Sequence, residues 1–375
     1  MSNDEQDLKQ AKLVTVAQRP TEVAASILVS VLRDEGIKAV ATGGFTAGFR
    51  AEAPGMVSVQ TFEADAQRAK QIIAELRQHD DGEGRRPDNQ VVGQRMERTS
   101  VGMKSCITIS LVEEARGGPF VLWDGLDKSI DFAAELGYDA VEIFAPAPES
   151  LDIDAIGKRL DSAGIRLAAL GTGAGWVKHR LQLADADPAN RDRARAFVRG
   201  TINAAGPLGA SAIIGSMQGP SGHTGDAETA RGYLCEALED GGEQAARYDV
   251  PLIYEPLNRY ETRQCCTVAH GVKILESLST DNVRLLCDLF HMNIEETSVA
   301  DALVQGGKWV GHIHFVDSNR RPVGLGHLQF GPIIDALRRI NYAGYLCAEA
   351  FPYPNPREAA RQTMRAFRYW TRSGS

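Results

Sequence analysis

The chain is 375 residues long, too long for one small domain and suited to a large α/β domain of about 250 residues with an extra module attached. A formal net charge of −8, with no Lys/Arg cluster, excludes nucleic-acid or anionic-membrane binding as the main activity. The longest apolar stretches, such as AASILVSVL, fall short of a bilayer span, and the polar start MSNDEQDLKQ carries no signal-peptide pattern, so a cytoplasmic protein is expected.

Residues 13–77 carry a pattern of their own. LVTVAQR reads as a strand, and Thr21 then caps a helix whose apolar residues Ala24, Ile27, Leu28, Val31 and Leu32 recur at helical spacing until Gly36. IKAVATGG and MVSVQTF predict two further strands, and Ala66, Ala69, Ile72, Ile73 and Leu76 share one face of a second helix. This βαββα order predicts a small α+β domain of ferredoxin-like type over residues 1–77. The unit resembles a short bacterial domain family described as signal-transducing, whose biochemical role is unknown. Its expected use is regulation or homo-oligomer formation, with a plain structural appendage as the alternative. From Gln78, the polar run HDDGEGRRPDNQVVGQRMERTS predicts a linker to residue 100.

KSCITIS opens a second pattern, in which apolar strands alternate with amphipathic helices almost to the end. Strands are predicted at 104–110, 140–144, 165–171, 210–216, 250–255, 283–288, 309–315 and 345–350. The helices are predicted at 126–136, 152–164, 188–207, 226–248, 267–279, 298–306, 332–340 and 356–371. Eight strand–helix repeats predict a closed (β/α)8 TIM barrel over residues 101–375 rather than an open doubly wound sheet. The cysteines at 106, 235, 265, 266, 287 and 347 form no C-x-x-C pair, and several sit inside strands, so reduced core residues are expected.

Four potential metal ligands end four successive apolar runs: Glu255 in LIYEPLNRYE, Asp288 in VRLLCDLFHMN, His314 in WVGHIHFVDSNRR and Glu349 in YLCAEAF. Gaps of 33, 26 and 35 residues are what a strand, a helix and two loops occupy, so the four recur once per βα unit and converge at a barrel mouth. Any one of them alone reads more readily as a salt-bridge partner or a cap. In series they point to one site, because a charge ending an apolar β run is costly unless paired or coordinated. Three carboxylates and one imidazole suit a single divalent ion such as Mn²⁺, Mg²⁺ or Co²⁺ and leave room for two substrate oxygens. Glu261, His291 and Arg320 leave the same mouth in loops, where they can hold hydroxyls of a polyol; an ion pair across loops is the competing reading for Glu261 and Arg320. His312 shares strand parity with His314 and is expected to point inward one layer deeper, in a hydrogen bond behind the ligands.

EPLNRYE, DLFHMNIEE, GHIHFVDSNRRPVGLGH and the Glu349 strand together resemble the xylose isomerase-like TIM-barrel superfamily of sugar isomerases and epimerases, and within it ketose 3-epimerases of the tagatose/psicose type. The blocks occur in order over residues 250–352, whereas the first four strands match only in general pattern, as in LGYDAVEIF. The resemblance implies that Glu255, Asp288, His314 and Glu349 bind one divalent metal ion, with Mn²⁺ first among the candidates. It implies that Glu255 and Glu349 are also the acid/base pair, and that Glu261, His291 and Arg320 contact a small-molecule sugar or sugar phosphate. The implied reaction abstracts a proton next to a ketose carbonyl and passes through an enediolate.

Three other readings use the same parts. An inosose dehydratase or hydroxypyruvate-type isomerase would retain the metal and the proton abstraction, and a sugar sensor would retain only binding. A three-zinc endonuclease of the same superfamily needs histidines that FAPAP and LGTGAG lack at the ends of the second and third barrel strands. GTGAGW, residues 171–176, lacks a complete dinucleotide fingerprint and reads as a tight loop. GSMQGPSGHTGD, with His223, reads as a flap over the site or a solvated loop, and Trp123 and Trp176 as an apolar wall for the sugar or as ordinary packing.

Overall fold

The computed structural model describes residues 13–19, 25, 28–29, 31–33, 35–42, 57–81, 102–219 and 226–372. The chain divides into two compact units, Met1–Thr99 and Ser100–Ser375.

In the first unit, β1 (Leu13–Arg19), β2 (Ala39–Thr42) and β3 (Val57–Phe62) form a sheet of order β1-β3-β2, with β3 antiparallel to both neighbours. That order follows when a crossover leaves space between the first two strands and the third returns as a hairpin into it, as in a ferredoxin-like domain. Its core joins Ala25, Leu28, Val29 and Leu32 to Val59, Ala69 and Ile73. Thr21, Ala24 and Ile27 lie outside the described residues. The helix Ala66–Asp81 continues past Gln78, where the polar composition predicts a linker. Extending a formed helix costs little and needs no apolar residue in its last turn. Residues 82–100 lie outside the described residues.

In the second unit, β4 (Lys104–Ser110), β5 (Ala140–Phe144), β6 (Arg166–Gly171), β7 (Ser211–Ile214), β8 (Leu252–Tyr254), β9 (Val283–Asp288), β10 (Val310–His314) and β11 (Tyr345–Ala348) close into a parallel (β/α)8 barrel, with β11 pairing back onto β4. The strands are apolar on both faces because one face packs under the helices and the other fills the interior. In β4, Ile107 and Ile109 join the layer beneath the helices, whereas Cys106 groups with Ala140, Ala168 and Cys347 inside. Ala169, Ile213, Ile253 and Leu286 fill another part of the interior. All six cysteines are free, and Cys106, Cys265, Cys287 and Cys347 are buried.

Side-chain caps written into the sequence start many of the helices. Asp152, Asp187, Asp226, Thr267 and Asn355 accept from first-turn N–H groups of Ile153–Ala163, Pro188–Ala205, Ala227–Ala246, Val268–Ser277 and Pro356–Thr371. The structure adds a helix the spacing does not predict, Leu289–Glu295, which follows β9 without a loop. Asp288 closes the strand and caps this helix at once, its Oδ1 accepting from Phe290 N–H at 2.7 Å. Pro251 has no N–H for the ladder, so β8 starts at Leu252 and Glu255 lies just beyond its end. No described helix is long and apolar enough to cross a membrane.

Candidate active site

Because the barrel strands are parallel, the ends of β8 to β11 open at one mouth. Asp288 and His314 are the last residues of β9 and β10, and Glu255 and Glu349 directly follow β8 and β11. His314 stands at the centre of this group. Its Nδ1 lies 3.1 Å from Asp288 Oδ2, 3.4 Å from Glu349 Oε2 and 3.8 Å from Glu255 Oε1. All four expected ligands are therefore brought together, with Asp288 only 1% and His314 2% exposed.

Three carboxylates so close and so buried need positive charge beside them. Arg320 supplies one, with Nη2 3.3 Å from Asp288 Oδ2 and in contact with Glu349 Oε2. Its backbone is held in the left-handed region at φ 57°, with its N–H donating to Asp317 O and its carbonyl accepting from Phe351 N–H. A strained arginine clamped at both sides aims its side chain at a fixed place. The ion pair across loops is thus made by Arg320, but with the site's own carboxylates.

The charges pull the two glutamates apart in acidity. Burial pushes Glu255 well above the usual carboxylate range; Glu349 and Asp288 add to this, and His314 and Arg320 offset part of it. Burial also acts to raise Glu349, but Arg320 and His314 outweigh it and hold this carboxyl below its ordinary value. Asp288 is likewise lowered: His291, Arg320 and His314 together overcome the burial that opposes them. For His314, burial favours the neutral ring, yet Glu349, Glu142 and Asp288 raise its pKa well above the ordinary one.

His291, in the helix Leu289–Glu295, is buried and close to the same group. Asn258 Nδ2 lies 2.7 Å from its Nδ1, so the neutral ring carries its proton on Nε2, which points between Glu255 Oε1 at 3.8 Å and Asp288 Oδ2 at 3.9 Å. Asn258 also donates to Glu261 Oε1 at 3.0 Å, and the Glu261 side chain, 43% exposed, stands at the rim.

The donor set fits a divalent cation. Glu255 Oε1 is buried without a hydrogen-bond partner among the described residues. The carboxylate oxygens of Asp288, Glu349 and Glu255 lie 3.1–3.8 Å from His314 Nδ1, close to the separation of ligands held about 2.1 Å from one ion. Oxygen with some imidazole nitrogen is the donor chemistry of Mn²⁺, Mg²⁺ or Co²⁺.

Three features escape the sequence reading. Glu142, in β5, is buried inside the barrel with Oε2 3.0 Å from His312 Nε2 and Oε1 3.4 Å from His314 Nε2. Burial acts to raise its pKa, but the two histidines bring it down to about 2. Its signal is a lone charge within the apolar run AVEIF, the same criterion that marks Glu255, Asp288, His314 and Glu349 as candidates. Gln218, fully buried, donates to Glu255 O at 2.9 Å and accepts from Tyr254 Oη at 2.8 Å, which fixes the backbone that carries Glu255. Gly215 makes room for the Glu255 carboxylate, since a Cβ there would overlap Oε2.

The residues of the weaker signals that are described make packing contacts. GTGAGW leads into a short helix, Ala174–Val177, rather than remaining a loop, and its glycines are required by contact: a Cβ on Gly173 would meet the Phe144 ring at 2.7 Å, and one on Gly175 would collide with Met217. Trp123 donates to Phe120 O and stacks edge-on against Phe120, and Trp176 packs on the main core under Arg180. His223 lies outside the described residues.

Comparison with known proteins agrees with this architecture. The family described as the xylose isomerase-like TIM barrel matches residues 130–370. The chain is 32% identical over 229 residues to a D-psicose 3-epimerase of Agrobacterium fabrum, covering 59% of this chain and 78% of that protein. It is 30% identical over 229 residues to an L-ribulose 3-epimerase of Mesorhizobium japonicum, covering 60% of this chain and 75% of that one. A crystal structure of a D-psicose 3-epimerase determined in the presence of D-fructose superposes with a TM-score of 0.60 at 25% identity, over 71% of this chain and 99% of the other.

Proposed function

The chain belongs to the xylose isomerase-like TIM-barrel family and is a sugar isomerase or epimerase, and we propose that it is a divalent-metal-dependent ketose 3-epimerase in which Glu255 and Glu349 exchange the C3 proton. The observation that carries this reading is the pair of glutamates brought to His314, at 3.8 and 3.4 Å from Nδ1. Two carboxyl groups that flank one substrate carbon are what removal and return of a proton require.

Glu255, Asp288, His314 and Glu349 would hold the cation, with Mn²⁺ the first candidate. When bound, it supplies positive charge that stabilises the negative charge developing on the sugar's carbonyl oxygen. Glu349, kept ionised by Arg320, takes the proton from C3 of a ketose and leaves a planar enediolate. Glu255, on the other face, relays a proton from solvent there and inverts C3, while Glu349 passes the proton it took to solvent; in the reverse direction the two roles exchange. His291 presents a buried Nε2–H to a sugar oxygen between Glu255 and Asp288. Arg320 holds a second sugar oxygen, and Glu261, at the rim, accepts from a hydroxyl further along the chain.

We assign the small sheet unit of residues 1–77 a regulatory or oligomerisation role separate from this chemistry. The direct test of the function is incubation of Mn²⁺-loaded protein with a panel of ketoses and ketose phosphates and identification of products by NMR. A C3 epimer from one of them is expected. Aldose products alone would replace the reading by aldose–ketose isomerisation, and sugar binding without turnover would replace it by a sensor.

A further inference from the structure

We propose that Glu142 is a positioning residue for the metal centre: set against Nε2 of His314, it holds that ring with its proton on Nε2 and its Nδ1 lone pair aimed at Asp288, Glu255 and Glu349. The inference rests on the reading of His314 as a ligand. The two nitrogens of His314 face opposite surroundings. Nδ1 meets the three carboxylates of the mouth, and Nε2 meets Glu142 Oε1 at 3.4 Å from the next layer down. A neutral imidazole has one proton for two nitrogens, so ligation through Nδ1 requires that proton on Nε2, where a buried N–H needs an acceptor. His314 Nε2 is buried and makes no hydrogen bond among the described residues, and Glu142 Oε1, at 3.4 Å, is the carboxylate oxygen set against it.

The second oxygen of Glu142 lies 3.0 Å from His312 Nε2, and the His312 and His314 rings stand nearly perpendicular, at 84°. One carboxylate thus braces two histidines of the same strand. A stability role alone does not account for a charge in this place, because an apolar side chain of the same volume inside the barrel would avoid the desolvation cost. A carboxylate behind a ligating histidine fixes its tautomer and orientation and strengthens its donation to a metal. Glu142, His312 and Cys347 also place donor atoms within 4.8 Å of one another, so a second cation held by these three is the rival arrangement.

The test is calorimetric titration of Mn²⁺ into the metal-free full-length protein, wild type against Glu142→Gln, with thermal melts to show that the variant is folded. One Mn²⁺ per chain is expected in the wild type, and affinity about 10–100-fold weaker in Glu142→Gln at unchanged stoichiometry. Unchanged affinity in folded Glu142→Gln overturns the proposal, as do two Mn²⁺ per wild-type chain with one lost in the variant. A second readout uses the wild type alone: ¹⁵N-histidine NMR of the Mg²⁺-loaded protein should show His314 as the Nε2–H tautomer, and the Nδ1–H tautomer would overturn the proposal even if the variant fails to fold. Wild-type protein that binds no divalent cation would instead remove the proposed function, and this inference with it.

Discussion

His314 and Asp288 are register partners at the ends of β10 and β9, and their side chains continue the pairing, with Nδ1 3.1 Å from Oδ2. The other oxygen of Asp288 caps the helix Leu289–Glu295. One carboxylate therefore serves the fold with one atom and the site with the other. Asp288→Asn retains a capping oxygen and removes the charge. Its metal-free stability is expected to fall, because the amide keeps the cap but no longer pairs with Arg320 and His314, and Mn²⁺ affinity falls by more than the roughly 10–100-fold of an outer-shell change. Thermal melts beside calorimetric titration check this, and wild-type Mn²⁺ affinity in Asp288→Asn would remove the residue from the ligand set.

Glu255→Gln and Glu349→Gln should each lower kcat by about 10²–10⁴-fold, the usual contribution of a positioned acid or base. Each variant retains one carboxylate and so one face of the enediolate. Solvent exchange of the C3 proton should therefore outlast epimerisation in at least one of them. Normal turnover in either variant sinks the two-glutamate mechanism.

Gly215→Ala tests the position of Glu255 without touching its chemistry. A Cβ at Gly215 would overlap Glu255 Oε2, so the carboxylate must move, and a displacement of about 1 Å costs on the order of 10²-fold in rate. Gly232→Ala is the control. Gly232 is exposed in the helix Ala227–Ala246 with open space around it, and alanine there should raise stability by about 0.5–1 kcal/mol with activity unchanged. Equal activity in the two variants would show that the Glu255 geometry does not matter.

The barrel and its mouth were legible because each of Glu255, Asp288, His314 and Glu349 ends an apolar strand, and a charge in that place has few cheap explanations. The same logic applied to Glu142 in AVEIF, but that strand carries no flanking motif to draw notice to it. The helix Leu289–Glu295 stayed hidden because seven residues are too few for a helical period to show, and Asp288 reads equally as a strand end or a cap. Asn258 and Gln218 act through backbone carbonyls and a ring nitrogen in the folded chain, partners that no spacing in the sequence announces.

Metal binding should release protons. In the metal-free protein both His314 and Glu255 have raised pKa values, so both retain protons at pH values where an ordinary histidine or glutamate would have lost them. Ligation needs the neutral imidazole and the carboxylate, so the cation must displace those protons and its affinity must rise with pH. Titration calorimetry in buffers of different ionisation enthalpy measures the number released. Affinity that falls from pH 6 to pH 8, or no proton release, would contradict the assignment of these two ligands.

Removal of residues 1–100 should leave a folded, active barrel, because all the site residues and the closed sheet lie in Ser100–Ser375. Far-UV circular dichroism and the epimerase assay on the truncated chain check this. Insoluble or inactive protein would show that the small unit is integral to the enzyme.

The central claim is a proton removed from C3 of a ketose by one glutamate and returned by another, and the most direct measurement is turnover in D₂O with the product read by NMR. Mn²⁺-loaded protein should yield the C3 epimer of one of a panel of ketoses, with deuterium at C3. Deuterium confined to C1, or bound sugar that never exchanges, would contradict it.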